Sequence, residues 1–308
     1  MRIKSSRITA ILIAISVVFI WSTSIIIIKF GLEEMPSLTF AGLRNVIAFF
    51  SLLPVAIIIQ KRSGKKLLPK QHLAKLAVLG ILLYGATQGA MFLALSYLPA
   101  VTTNLIWTFS TIIVAILGIV FLAERPTPVQ WLGIALTIIG ALIYFYPVNI
   151  NADQWIGIII SIIGTFTNAG AVILGRDVNR SYTVHPIVVT VISMGIGSAA
   201  LLSAAVIIQG LPAIELSGWI KILWLAIINS ALGFTIWNYI LRTLTAAESS
   251  IINSTMLIWI PILAVIFLHE QINSRQIIAL IAVGIGVLFV QLRRFTGQKT
   301  ISENRPIM

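Results

Sequence analysis

The sequence predicts an all-α membrane protein of ten transmembrane helices, built from two inverted five-helix repeats, with both termini in the cytoplasm. Of the 308 residues, 58% are hydrophobic and only 10% are charged, whereas a soluble domain carries about 25% charged residues. Apolar runs of about 20 residues recur along the whole chain, and each is long enough to cross a bilayer as a helix. Alternating strand-like runs of about ten residues are absent, which favours helices over an outer-membrane barrel.

Prolines separate the predicted helices, because they fall at or between the helix ends. The helices cover residues 8–32, 37–60, 74–97, 101–122, 128–147, 155–175, 186–208, 219–241, 248–268 and 275–292. The separating prolines are Pro36, Pro99, Pro126, Pro128, Pro147, Pro186 and Pro212. Basic residues precede the first helix, as in a signal peptide. However, the run from Ile8 to Ile28 is too long for a signal-peptide core and no small-residue cleavage site follows, so this helix is predicted to be retained.

Lysine and arginine are concentrated in alternate loops, and this distribution predicts the orientation of the helices. With the N-terminus inside, most of the 21 basic residues fall in inner segments. The outer loops then hold Lys221 and Arg275 together with Glu33, Glu34, Asp153, Glu215 and Glu270. The net charge of +12 therefore follows from topology. The expected partners are anionic lipids of the inner leaflet, and no nucleic acid.

Two segments of the chain match each other without a gap when one is shifted by 146 residues. The most informative matches are Glu124 with Glu270, Gln130 with Gln276, and Gly140 with Gly286. The predicted domains are a first repeat at 8–147, a second repeat at 155–292 and a cytoplasmic tail at 293–308. Because five helices is an odd number, the second repeat enters the membrane from the opposite side. Inverted repeats are typical of transporters that work by alternating access, with the substrate site near the middle of the membrane.

Several of these stretches resemble one known family. They are "WSTSIIIIKFGL" and "FAGLRN" in the first two helices, and the two "FL-x-E" endings followed by "QWLGIALTIIGALI" and "QIIALIAVGIGVLF". They resemble the drug/metabolite transporter superfamily, specifically the ten-helix EamA-type permeases, over about residues 10–292. The resemblance implies a bundle with a central cavity that exports amino acids or related metabolites. Where the family usually has a proline in helices four and nine, this chain has Thr111 and Leu257, with Pro261 one turn later.

Two basic residues, Lys29 and Arg44, lie inside predicted helices rather than in loops or tails. Arg44 shares one helix face with the small residues Ser37, Ala41, Ala48 and Ser51, and such faces pack against other helices. Arg44 is therefore predicted to point into the bundle, where ionisable groups are usually functional. Lys29 lies about one turn from the outer end, within reach of the interface and of Glu33.

Two interpretations of these cations stay open. Lys29 and Arg44 could form an electrostatic mouth of the cavity that attracts a carboxylate-bearing substrate or excludes cations. Alternatively, Lys29 is an interface anchor, and Arg44 donates a structural hydrogen bond to helix-end carbonyls or to Glu34.

Aromatic and amide side chains at middle depth are the other candidates for the substrate cavity. With Arg44, they are Trp21, Tyr84, Gln88, Trp107, Asn168, Asn229, Trp237 and Trp259. Several lie too deep to belong to an interfacial aromatic belt. A mostly apolar cavity with a few polar groups suits small amphiphilic molecules. Each of these residues could equally serve only to pack the helices.

The sequence carries no pattern typical of an enzyme, a metal site or a cofactor site. "GIGSAA" at 195–200 fits a dinucleotide-binding pattern but lies within a helix with no preceding strand. The three histidines lack metal-ligand spacing, and no nucleophile–base pair is recognisable. Glu124 and Glu270 each precede a helix, where a carboxylate is expected to cap exposed N–H groups as a structural feature.

The predicted function is a secondary transporter of the cytoplasmic membrane that exports amino acids or related small metabolites by alternating access. None of the nine acidic residues falls at mid-membrane, which favours uniport or coupling through the charge of the substrate itself. Two alternatives stay open. One is a permease for nucleoside-like or other organic metabolites. The other, of a different class, is a channel or a non-transporting membrane partner.

Overall fold

The computed structural model describes residues 7–63, 70–122, 127–146, 150–180, 186–240 and 252–292, and within those ranges every regular element is helical. The helices are α1 (Arg7–Leu32), α2 (Ser37–Ser63), α3 (Lys70–Gly80, Ile81–Thr87 and Gln88–Tyr97, joined end to end), α4 (Ala100–Leu122), α5 (Pro128–Phe145), α6 (Ala152–Arg180), α7 (Pro186–Gln209), α8 (Leu216–Trp224, Leu225–Leu232 and Gly233–Ile240, joined end to end), α9 (Met256–Phe267) and α10 (Ser274–Leu292).

The apolar lengths of these helices match a membrane. Seven stretches of the described residues are long and apolar enough to cross one: Ile8–Leu32, Ser37–Lys61, Leu73–Tyr97, Pro128–Phe145, Ala152–Gly175, Ile187–Gln209 and Leu216–Trp237. Three shorter apolar stretches follow the same pattern: Ala100–Val114, Ile252–Phe267 and Ser274–Val290. Large apolar side chains cover the exterior, as at Ile207, which is 84% exposed. A soluble protein rarely exposes so much contiguous apolar surface, so the prediction of a helical membrane protein is confirmed.

Reciprocal caps of one kind begin α5, α6 and α10. At α5, Thr127 and Gln130 bond each other's backbone N–H groups through their side chains, at 3.4 and 3.0 Å. Asn151 with Gln154 and Asn273 with Gln276 repeat this arrangement at α6 and α10. Each pair satisfies two donors that the first turn of a helix leaves unpaired, and so fixes where that helix starts.

The first half of the described chain (α1–α5) packs against the second half (α6–α10) in a reciprocal pattern. The pairs α2–α7, α4–α9 and α5–α10 each join helices at the same place in the two halves. In the same way, α3 packs on α6 and α7, and α8 packs on α1 and α2.

The α5–α10 contact has this reciprocity at the level of single residues. A Cβ atom added at Gly140 would lie 2.9 Å from the carbonyl oxygen of Ala279, and one added at Gly286 would lie 2.7 Å from that of Gly133. Positions 133 and 279 are 146 residues apart, as are 140 and 286. Each contact therefore becomes the other when the two helices are exchanged. The helices run antiparallel, because Gln130 donates to the Val290 carbonyl at 3.1 Å while Arg275 lies over the Tyr146 ring at 6.0 Å.

Glycines also set the position of α7, which contains the "GIGSAA" stretch. A Cβ atom added at Gly195 would lie 2.8 Å from the Phe49 ring of α2, and positions 49 and 195 are again 146 apart. One added at Gly197 would overlap the carbonyl oxygen of Gly80 in α3. These glycines are helix-packing contacts.

Both α3 and α8 contain a π-helical segment, Ile81–Thr87 and Leu225–Leu232, respectively, at nearly equivalent places in the two halves. A π turn widens the helix and leaves backbone carbonyls without their α-helical partners. Asn45 of α2 donates to the Tyr84 carbonyl in the first segment at 3.2 Å. Trp21 of α1 donates to the Asn229 carbonyl in the second at 2.9 Å. Each irregular turn is therefore tied to a neighbouring helix.

Candidate functional site

Arg44 is buried where α2, α3 and α8 meet, with 6% of its surface exposed. Its Nε donates to the Ser230 hydroxyl at 3.1 Å and its Nη1 to the Gln88 amide oxygen at 3.4 Å. Its Cζ lies 5.5 Å from the centre of the Phe92 ring. Ser230 belongs to the second π segment and Gln88 directly follows the first. The guanidinium group therefore connects the two π segments across the boundary between the halves.

A network of polar and aromatic contacts continues from Arg44 towards α1. Asn229, next to Ser230 in the chain, donates through Nδ2 to the Ile20 carbonyl at 2.7 Å. Its Oδ1 is buried and has no hydrogen-bond partner in the described part of the chain. Trp21 packs on Trp237 with ring centres 5.1 Å apart. We call this network, defined by Trp21, Arg44, Gln88, Asn229, Ser230 and Trp237, the interior cluster. Tyr84 is buried beside it, where its carbonyl accepts from Asn45, the residue after Arg44.

Of the three other cavity candidates, Trp259 packs in the same apolar cluster as Trp21 and Trp237, whereas Asn168 and Trp107 make their contacts between α4 and α6. Asn168 of α6 donates to the Ser110 hydroxyl of α4 at 2.9 Å. Trp107 of α4 lies against Gly164 of α6, with its Cζ2 atom 2.7 Å from where a Cβ would sit. Trp259 of α9 packs edge-on to Phe19 of α1 at 5.2 Å. These residues join helix pairs, although the Nε1 atoms of both tryptophans are buried without a partner in the described residues.

The hydrogen bonds of Lys29 go to the end of a helix and not to Glu33. Its ammonium donates to the carbonyls of Leu95 and Leu98 at 2.9 and 3.0 Å, where α3 ends. The last carbonyls of a helix have no partner within that helix and carry its negative dipole end, so they attract a cation. Lys29 and Arg44 therefore share no hydrogen-bond partner among the described residues, and the electrostatic mouth stays a prediction.

Glu270 caps a helix of the other half. Its carboxylate accepts hydrogen bonds from the N–H groups of Ala100 and Val101 at 2.5 and 3.2 Å, at the start of α4. The sequence interpretation assigned it to the helix that follows it, but Asn273 fills that place at α10. Glu124, its partner in the repeat, lies outside the described residues.

Further contacts join the two halves at the end where α1 ends and α2 begins. Glu34 accepts hydrogen bonds from Lys221 and, at 3.0 Å, from Ser217. The Gln209 side chain accepts from the Leu38 N–H at 2.9 Å, and Thr39 donates to the Gly210 carbonyl at 3.0 Å. We call these contacts, with the Glu270 cap, the α1–α2 end contacts.

The Lys221 hydrogen bond, with a smaller contribution from Ser217, holds the pKa of Glu34 below its ordinary value. A lowered folded-state pKa stabilises the protein above the ordinary carboxyl range, and this stability is lost as pH falls through the folded pKa. We expect Lys221→Gln to lower the melting temperature slightly at pH 7, because the pair is exposed to solvent, and by less at pH 3. Thermal unfolding at both pH values tests this, with Glu34→Gln as the matched variant. An equal deficit at pH 3 would contradict it.

Comparisons with known proteins agree with this architecture. The model of the EamA-like transporter family matches residues 8–146 and 155–292. An uncharacterized transporter, YoaV of Bacillus subtilis, is 23% identical over 294 residues, covering 92% of this chain and 97% of that protein. A probable amino-acid metabolite efflux pump of Salmonella typhimurium is 25% identical over 308 residues, covering 94% and 96%.

A solved crystal structure shares the fold, with a TM-score of 0.66 at 15% identity over 94% of this chain and 99% of the other. The family model covers both halves, and the exterior of the bundle is apolar. The relatives are transporters by name, so this chain is a multi-pass protein of the cell membrane. The resemblance seen in its sequence is thereby confirmed: the chain belongs to the EamA-like transporter family.

Proposed function

We propose that this membrane transporter exports amino acids or related small metabolites by alternating access between two inverted halves of five helices each. The name of the Salmonella relative supports this substrate class and direction. The residues of the interior cluster, near the middle of their helices, would line the substrate site. The domains then correspond to residues 8–147 and 155–292, with 293–308 as a cytoplasmic tail.

The reciprocal packing of α5 and α10 carries the proposal. Two antiparallel helices whose contacts interchange under a 146-residue shift are related by a local two-fold axis, as inverted repeats require. The α2–α7 crossing at Phe49 and Gly195 obeys the same shift. In such a molecule, the two halves can exchange conformations. The exchange closes the cavity on one side of the membrane and opens it on the other.

The α1–α2 end contacts support a state closed on one side. Each of them bonds a residue of the first half to one of the second. The distribution of basic residues in the sequence predicts that this end lies outside the cell. In our proposal, the conformation described is therefore closed to the outside, and export requires these contacts to break.

Export profiling tests the proposed function. Cells that express the protein and cells with an empty vector are fed dipeptides, and amino acids in the medium are measured by mass spectrometry. We expect one or a few amino acids to leave the expressing cells faster, at a rate that saturates with internal concentration. A folded, membrane-inserted protein that changes no metabolite, or that conducts ions without saturation in bilayers, would contradict the proposal.

A further inference from the structure

We infer that Arg44 is the residue that binds the carboxylate of the transported molecule, between the two π-helical segments. This inference rests on the proposed function, because it assumes that a small molecule reaches the interior cluster. It also narrows that function, because it requires the substrate to carry a carboxylate.

Arg44 has no protein counter-ion in the described part of the chain. The structure gives it no ion pair there, and its two hydrogen-bond acceptors, Ser230 and Gln88, are neutral. The described carboxylates are already placed at helix ends, as with Glu34 on Lys221 and Glu270 on α4. A buried cation without a counter-ion is costly, and an anionic ligand would remove that cost.

The guanidinium also keeps donors for a ligand. It carries five N–H groups in a planar fork that matches a carboxylate. Protein acceptors in the described residues engage its Nε and Nη1, while Nη2 has none and is not fully buried. A carboxylate adds the attraction of opposite charges to these hydrogen bonds, which the neutral acceptors Ser230 and Gln88 do not supply. A carboxylate could therefore displace Ser230 or Gln88 as well as take the donors that are left.

The contrast with Lys29 makes the assignment specific. Lys29 already donates to two helix-end carbonyls, an arrangement that accounts for its charge without a ligand. Arg44 is shared between α2 and α3 of one half and α8 of the other. A ligand that displaces Ser230 would thus loosen a bond between the halves, so that binding is linked to their movement.

Ligand-dependent thermal unfolding of the full chain in lipid nanodiscs tests the inference without transport. Benzoate is the probe, because its ring suits the aromatic ring of Phe92 beside the guanidinium. Benzamide is its neutral match, and sodium chloride at equal ionic strength is the inorganic anion. A ligand that binds only the folded protein raises the melting temperature with its concentration. We expect benzoate to do so, and benzamide and chloride not to.

The variants then assign the effect to one residue. Arg44→Gln is expected to weaken benzoate binding at least about tenfold, equivalent to about 1.4 kcal/mol. Arg44→Lys keeps the charge but loses the fork, so we expect an intermediate affinity. Lys61→Gln removes one exposed positive charge from the other end of the same helix and should bind benzoate as the wild type does.

Three results would overturn the inference. They are equal stabilisation of the wild type by benzoate and benzamide, equal stabilisation by chloride, or unchanged benzoate affinity in the Arg44 variants. Arg44→Lys alone decides the last point if Arg44→Gln does not fold. Failure here is separable from failure of the proposed function. A chain that exports metabolites but binds benzoate independently of Arg44 keeps the function and loses the site. A chain that binds benzoate through Arg44 but exports nothing would keep the binding site and contradict the proposed function.

Discussion

Replacing Gly286 with alanine is expected to destabilise the protein by about 3 kcal/mol, the upper part of the range for an overpacked site. The added methyl group would meet the backbone nitrogen of Thr137 at 2.8 Å and the carbonyl oxygen of Gly133 at 2.7 Å. Both are backbone atoms of α5, so no side-chain rotation relieves the overlap. The α5–α10 pair would have to separate, which would also disturb the reciprocal contact at Gly140.

Gly284→Ala is the matched control, because Gly284 lies on the same helix and has nothing within 4 Å of an added Cβ. Alanine is favoured over glycine in a helix by about 1 kcal/mol, so this variant should be neutral or slightly more stable. Thermal unfolding of both variants in detergent gives the comparison. Equal melting temperatures for the two variants would mean that the stability of the protein does not depend on the close approach of α5 and α10.

Removing the Glu270 carboxylate is expected to open the α1–α2 end. A helix cap contributes about 1 kcal/mol, and a change of that size shifts a two-state equilibrium about fivefold. Because Glu270 caps α4 across the boundary between the halves, Glu270→Ala should favour the state in which they part. The probe is Ala264→Cys, since Ala264 is fully buried (0% exposed) and its carbonyl accepts a hydrogen bond from the Glu270 N–H.

The chain has no cysteine, so the introduced thiol is the only one in the molecule. We expect a membrane-impermeant maleimide, added outside intact cells, to label it about fivefold faster when Glu270 is alanine. Glu215→Ala is the control, because Glu215 stands at the start of α8 but its side chain makes no capping bond there. Labelling that is unchanged in Glu270→Ala, or raised equally in Glu215→Ala, would refute the role of the cap.

Much of the fold follows from local patterns in the sequence. Apolar runs and prolines predicted the helices, and the described ends differ from the predicted ones by several residues in places. The match of Gly140 with Gly286 indicated a repeat, and the structure shows that both glycines lie where helix backbones approach each other. The small-residue face of α2 likewise predicted that Arg44 would turn inward, and the structure buries it.

The rest of the candidate site depends on contacts that sequence spacing does not encode. The partners of Lys29 are carbonyls 66 and 69 residues away, whereas the sequence offered only its neighbour Glu33. Glu270 likewise caps a helix that begins 170 residues earlier in the chain, which its sequence neighbours do not indicate. The amino-acid composition of the two π segments does not distinguish them from ordinary α-helix. They are stable because Asn45 and Trp21 satisfy the carbonyls they free, which only the folded arrangement reveals.

The 146-residue correspondence gives Arg44 a counterpart in α7, and that counterpart is Thr190. Among the described residues, helices of the two halves pair in a nearly symmetric pattern, whereas the buried Arg44 has no basic residue at the corresponding position. If Arg44 holds the substrate, the inward-facing and outward-facing forms of the carrier differ in free energy and in their contacts with the substrate. The apparent affinity on the two sides of the membrane can then differ, while the gradient of the substrate still sets the direction of net flux.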